Sequence, residues 1–229
     1  MSTADERTVL EDRLEAVRSG VVDAAAEAGR DPASITTIVV TKFHPAQLVR
    51  DLHALGVRDF GENRHQDAAP KAEALTDLDL TWHFVGQLQS KKVRAVLAYS
   101  RVIHSVDRDS VVDALVTAAQ PADVFLQVNL TDDPGRGGVP PQGIEALAAR
   151  VLDVGSLTLR GLMAVAPLGE EPRAAFARVR GYSELLRTIA PGAAALSMGM
   201  SGDYPAAIAE GATHLRIGTA ITGNRPPAS

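Results

Sequence analysis

The chain contains no cysteine. That excludes disulfides, thiol catalysis and cysteine-ligated metal sites, and leaves the redox compartment open. It has no apolar run long enough to span a bilayer. Its opening "MSTADERTVLEDRLEAVRSG" is too charged to hold the apolar centre of a signal peptide. No excess of one charge is present: 23 Lys and Arg against 28 Asp and Glu give a net charge of −5, with the signs interleaved. An electrostatic footprint for nucleic acid or an anionic membrane is therefore missing. Also missing are a P-loop, a G-x-S-x-G elbow and a dinucleotide fingerprint, since "GRGGVP" at 135–140 has the wrong glycine spacing. The six histidines, His44, His53, His65, His83, His104 and His214, are scattered, and no pair has the helical spacing of a zinc site. These absences leave a soluble, cytoplasmic protein with small-molecule or protein partners.

What is present is a core-forming chain of 229 residues, 45% of them hydrophobic. Leu10, Leu14, Val17, Val21 and Ala25 recur at helical spacing, predicting an amphipathic helix within residues 1–30 that Gly29, Asp31 and Pro32 end. After it, strand and helix patterns alternate. Strands are predicted at 36–41, 57–61, 82–86, 101–106, 123–130, 157–165, 194–199 and 214–220, with apolar helical periodicity between them. About eight βα units of this length predict an α/β fold closed as a (β/α)₈ TIM barrel, an open doubly wound sheet being the alternative. No linker divides the chain. Residues 1–229 read as a single domain, with 226–229 as a frayed tail.

In such a barrel, chemistry sits at the C-terminal strand ends, and phosphate is often held by the loops after the last two strands. "VVTKFHP" places Lys42 at the end of the first strand. Most lysines are solvated charges. One partly desolvated in a strand-end pocket is also a nucleophile toward aldehydes, forming a Schiff base. The last two strands run into "SMGMSGD" and "RIGTA". There Ser201 can cap the following helix, Gly218 allows close backbone approach and Thr219 adds a hydroxyl, together a cup for phosphate. Neither segment alone is specific. A phosphate cup and an aldehyde-reactive lysine at one barrel mouth, however, match the two ends of pyridoxal 5′-phosphate (PLP). Arg216, two residues before the cup, suits the ring nitrogen; as a permanent donor it would leave that nitrogen unprotonated. An ion-pairing role for Arg216 remains open at this level. Asn63 either reaches the ring from the second strand or caps the helix after it.

The motifs "VVTKFHP", "DFGENRHQDAAPK", "WHFVGQLQSKKVR", "IHSVD", "LQVNLTDDPGRGGV", "RGLMAV" and "LSMGMSGDYPAAIAEGATHLRIGTAITGNR" resemble, in order and spacing, those of the pyridoxal phosphate homeostasis family (YggS/PROSC-like) from about Lys42 to Arg225. The resemblance implies a barrel like the N-terminal domain of alanine racemase, PLP fold type III, without the racemase's second domain. It implies PLP held as an internal aldimine on Lys42, phosphate contacts from Ser201, Gly218 and Thr219, Arg216 at the ring nitrogen, and Asn63 from the "GEN" motif. It further implies a monomer that buffers PLP and delivers it to apo-enzymes, without firm catalytic turnover. Gln87, Lys91 and the "DDPGRGG" loop depart from the usual pattern, outside those contacts. Two other functions use the same residues: an amino-acid racemase, and a Schiff-base aldolase acting on a phosphorylated sugar without cofactor. The racemase would need a second acid/base on the opposite face, and Tyr99, Tyr182 and Tyr204 all fall in or beside predicted helices.

Overall fold

A computed structural model of the chain describes residues 3–133 and 135–224. The 226–229 tail and Arg225 at the end of the last motif lie outside the described residues. Helix α1 (Thr3–Glu27) precedes eight strands and the helices between them: β1 (Thr36–Val40), α2 (Ala46–Ala54), β2 (Asp59–Glu62), α3 (His65–Ala74), β3 (Thr81–Phe84), α4 (Val93–Leu97), β4 (Val102–Val106) and α5 (Asp109–Ala118). The second half continues with β5 (Ala122–Gln127), α6 (Ile144–Leu152), β6 (Leu157–Met163), α7 (Pro172–Ile189), β7 (Ala195–Ser197), α8 (Tyr204–Ala209), β8 (His214–Ile217) and α9 (Thr219–Thr222). The strands are parallel, pair in sequence order, and close through β1 against β8. The predicted (β/α)₈ barrel is the fold, and the open sheet is not. Each of the eight predicted strands exists, displaced or shortened by a few residues where the chain turns into a loop.

Strand parity sorts the side chains into two layers. Val39, Phe60, Trp82, Phe84, Ile103, Val124, Leu126 and Leu162 pack outward against buried helix residues such as Leu52, Val96, Leu115 and Phe176. The other parity faces the barrel axis, where side chains of distant strands meet. His104 of β4 stacks on Phe125 of β5 at 4.4 Å and lies 6.2 Å from His214 of β8. The first helix behaves as its periodicity predicts: Leu10, Leu14, Val17, Val21 and Ala25 are buried, against α8 and α9. Gly29, at φ +64°, ends it, and Asp31 caps the short 3₁₀ turn that follows. No helix among the described residues is long and apolar enough to cross a membrane.

Between β5 and β6 the register shifts: Val124 aligns with Leu159 but Phe125 with Gly161, so Arg160 is the extra residue of a β-bulge. Gly161 takes φ +151°, and a Cβ there would stand 1.9 Å from the Ala195 carbonyl oxygen on β7. Glycine is therefore required both by conformation and by backbone approach. Gly161→Ala is expected to cost about 3 kcal/mol or more, read as a lowered urea midpoint with an unchanged m-value.

Candidate active site at the barrel mouth

Lys42 leaves β1 on the axial parity of Ile38 and Val40 and is exposed at the mouth. Its turn is closed by the His44 N–H, which donates to the Thr41 carbonyl at 3.1 Å, and Phe43 sits at φ +69°. A bulky residue in that region is strained, at a cost of order 1–3 kcal/mol, and persists only where its surroundings hold it. The holding groups lie behind β1. Buried Lys71 on α3 donates to the Thr41 carbonyl at 2.7 Å and to Glu62 Oε1 at 2.5 Å, and the Thr41 hydroxyl donates to the same oxygen at 2.7 Å. Burial pushes the Glu62 carboxyl above its ordinary range, and the Lys71 hydrogen bond and charge pull it back. The Phe43 ring lies 5.9 Å from Lys42 Nζ and 5.9 Å from the Arg64 guanidinium carbon.

Arg216 is buried on the axial face of β8. It donates to the Ser197 hydroxyl at 2.7 Å and to the Ala164 carbonyl at 2.9 Å, joining β8 to β7 and to the end of β6. Desolvation lowers its pKa to about 10, with Asp203 opposing the shift, so it stays a cation at neutral pH. Ser201 does not cap α8, as the sequence suggested. The N-cap position is Asp203, whose Oδ1 accepts from the Met200 N–H at 2.5 Å, and the Ser201 hydroxyl instead reaches the next loop. There it accepts from the Gly218 and Ala220 N–H groups at 3.3 and 3.2 Å. Those amides are the donors that an anionic ligand oxygen would take. A Cβ on Gly218 would find no atom nearer than the Val40 carbonyl oxygen at 3.7 Å, so backbone approach is open beside β1, and Thr219 is exposed next to it.

Asn63 does not cap α3 either; Arg64 holds the N-cap position. The Asn63 side-chain oxygen is buried without a hydrogen-bond partner. A buried orphan acceptor marks a place for a ligand donor. The Asn63 main chain is pressed against Gly86, where a Cβ would lie 2.0 Å from the Asn63 carbonyl oxygen. The mouth thus offers a solvent-facing primary amine, a buried amide, a buried guanidinium and paired backbone donors. That donor set fits PLP: an aldehyde, polar ring substituents, a ring nitrogen and a phosphate.

Three of the six histidines read as scattered, His83, His104 and His214, meet on the barrel axis. In the barrel interior His83 Nε2 is 3.0 Å from Asp59 Oδ1, His83 Nδ1 is 2.9 Å from His104 Nε2, and His104 Nδ1 is 2.8 Å from the Ser197 hydroxyl. Burial holds His104 well below the ordinary imidazole pKa, with the Arg216 charge adding to the effect, and takes His214 to about 4. Sequence reading also missed Phe43, Glu62 and Lys71. A usable signal was parity: Asp59, His83, His104 and Arg216 occupy axial strand positions, while Thr41 and Glu62 are polar residues at outward positions of apolar strands.

The fold and this site define a class: a PLP-type barrel of the alanine-racemase kind. The family profile "Alanine racemase, N-terminal domain" matches residues 14–226. The chain is 43% identical over 225 residues to the pyridoxal phosphate homeostasis protein of Pseudomonas aeruginosa, covering 95% of this chain and 96% of that one. Against the protein of that name from Corynebacterium glutamicum it is 39% identical over 211 residues, covering 87% and 95%. Among solved structures, PipY of Synechococcus elongatus, determined with PLP bound, superposes with a TM-score of 0.83 at 39% identity, covering 93% of this chain and all of that one. Alanine racemase from Corynebacterium glutamicum shares the fold, with a TM-score of 0.71 at 16% identity over 94% of this chain and 63% of that one. The chain belongs to the pyridoxal phosphate homeostasis protein family.

The depressed histidine pKa values carry a sign. An imidazole favoured neutral in the fold adds stability that is complete above its unfolded pKa of about 6.5 and is lost as pH falls toward the folded value. Glu62, shifted upward, acts in the opposite direction. Stability is expected to fall by on the order of 2 kcal/mol between pH 7 and pH 4.5, less than the whole shift because His214 is partly exposed. Urea midpoints across that range measure this, and His214→Phe, which keeps the edge contact with Phe125, should flatten the slope.

Proposed function

We propose that this protein binds pyridoxal 5′-phosphate covalently on Lys42 and takes part in intracellular PLP homeostasis and delivery, without catalytic turnover. The observation that carries this reading is the pairing of an exposed Lys42 amine on a braced, strained turn after β1 with backbone N–H donors gathered on Ser201 in the loop after β8, the strand that pairs with β1 and carries buried Arg216. The relatives' names and the PLP-bound PipY support the same ligand.

When bound, the cofactor supplies an aldehyde that condenses with a primary amine, with loss of water. The chain's own residues do the rest. Lys42 presents its amine where solvent and an incoming aldehyde both reach it. Ser201, Gly218 and Thr219 would hold the phosphate, with the N–H groups of Gly218 and Ala220 as donors. Arg216, donating only, holds the ring nitrogen without protonating it, which leaves the ring a weak electron sink. Asn63 offers its buried amide to a polar ring substituent.

The non-catalytic reading is favoured over the racemase by the tyrosines. Tyr204 lies against Gly20 of α1, half-buried Tyr99 stacks on His65 of α3, and Tyr182 lines a groove with Pro141 and Ile144 on the outer surface. None of the three stands across the mouth from Lys42. The aldolase reading leaves the Arg216 and Asn63 amide placement without a purpose. We further propose that residues 1–229 act as one domain and one monomer in the cytoplasm, passing PLP transiently to apo-enzymes.

Purified protein mixed with PLP should turn yellow, and after borohydride reduction should carry the pyridoxyl mass on the Lys42 peptide. Lys42→Ala should lose at least nine-tenths of that label while keeping weak PLP binding through the phosphate loop. Unchanged labelling would refute Lys42 as the attachment point. Single-enantiomer amino acids in deuterated water should gain little or no α-deuterium, and rapid exchange would restore the racemase.

A further inference from the structure

We propose that Arg216, Ser197, His104, His83 and Asp59 form a one-directional hydrogen-bond relay along the barrel axis, making the last four positioning residues for the Arg216 guanidinium. The relay climbs the barrel. Asp59 is the first residue of β2, at the N-terminal end, and its side chain is 30% exposed there; His83 and His104 lie within β3 and β4, and Ser197 ends β7. Every link is between 2.7 and 3.0 Å, and His83, His104, Ser197 and Arg216 are all buried.

The two ends dictate the direction. A guanidinium only donates, so the Ser197 oxygen accepts from Arg216; a carboxylate only accepts, so His83 carries its proton on Nε2. The relay takes both rings as neutral: His83 then has a bare Nδ1, which requires the proton of His104 on Nε2. That leaves His104 Nδ1 as the acceptor for the Ser197 hydroxyl proton. Ser197, His104 and His83 each accept one of these bonds and donate one, and the sequence of donation runs from Arg216 to Asp59 without a conflict. With both rings neutral, reversing any middle link sets two donors or two bare nitrogens face to face in a dry interior, at a cost of about 1–3 kcal/mol. The groups facing the two rings are compatible with this order: His214 from β8 and the stacked Phe125 from β5 take no part in the links.

The consequence is for Arg216. Its described hydrogen bonds go to a hydroxyl and a carbonyl, not to a carboxylate. The relay delivers the accepting pull of a distant anion to one Nη, fixing the plane of the guanidinium and leaving its remaining donors for the mouth. This extends the proposed role of Arg216 at the ring nitrogen and rests on it for the effect on PLP, but the relay itself is a property of the ligand-free chain.

Two measurements separate the claims. Long-range ¹H–¹⁵N correlation on the ligand-free protein at pH 7.5 should show His83 and His104 both neutral and both protonated on Nε2; an Nδ1–H tautomer or a cationic ring on either would overturn the relay. In the second, PLP and inorganic phosphate affinities are compared in His104→Phe and His104→Gln. Phenylalanine keeps the stack on Phe125 but cuts the links. Glutamine offers one donor toward His83 and one acceptor toward Ser197, preserving the direction. His104→Phe should weaken PLP binding about five- to tenfold with phosphate affinity unchanged, and His104→Gln should stay within about twofold of the parent. Equal losses in both variants, or a loss in neither, would overturn the positioning role. Failure of the parent protein to take up PLP would refute the proposed function while leaving the tautomer measurement decisive for the relay.

Discussion

A guanidinium buried inside a barrel must be held on all sides, and the placement of Arg216 depends on that requirement. Its charge cannot be given up at neutral pH, and its desolvation is opposed only by Asp203 and by oriented hydrogen bonds. Those bonds go to Ser197 and to the Ala164 carbonyl, so this buried side chain fastens β8 to the ends of β7 and β6. The loop that gathers backbone donors at Gly218 and Ala220 starts two residues later. Its position follows from where Arg216 is anchored.

The second support is the attachment turn. Phe43 at positive φ is unfavourable by itself, and the turn is held by a buried Lys71 that bonds the carbonyl just before Lys42. The Glu62 carboxylate is there to balance Lys71, and the Thr41 hydroxyl fills one more of its lone pairs. Lys42, the proposed attachment point, is thus carried on a turn whose geometry is set from behind. The mouth itself remains open to solvent.

Much of the fold was legible because a βα alternation with apolar strands has few compact solutions, and eight units close into a barrel. Lys42, Arg216 and the glycine-rich ends of the last two strands were legible because strand ends in such a barrel share one face. Ser201 was misjudged as a helix cap because a serine before a helix is consistent with local capping; the partner it chose, the loop after β8, is a tertiary contact. The Asp59–His83–His104–Ser197 chain escaped for the same reason. Its members are 21 to 93 residues apart in successive links, and only the barrel's closure brings them to one axis. Lys71 was invisible for a different cause, since a lysine on a helix reads as solvated until its burial is seen.

The central claim is that one cofactor spans Lys42, Arg216 and the Ser201 loop. A crystal structure of the full chain loaded with PLP and reduced with borohydride tests it most directly. The account predicts the pyridoxyl group on Lys42 Nζ, the ring nitrogen within hydrogen-bond distance of the Arg216 guanidinium, and phosphate oxygens on the N–H groups of Gly218 and Ala220. Attachment at Lys91 or Lys92, or a ring nitrogen turned to solvent or a carboxylate, would contradict it.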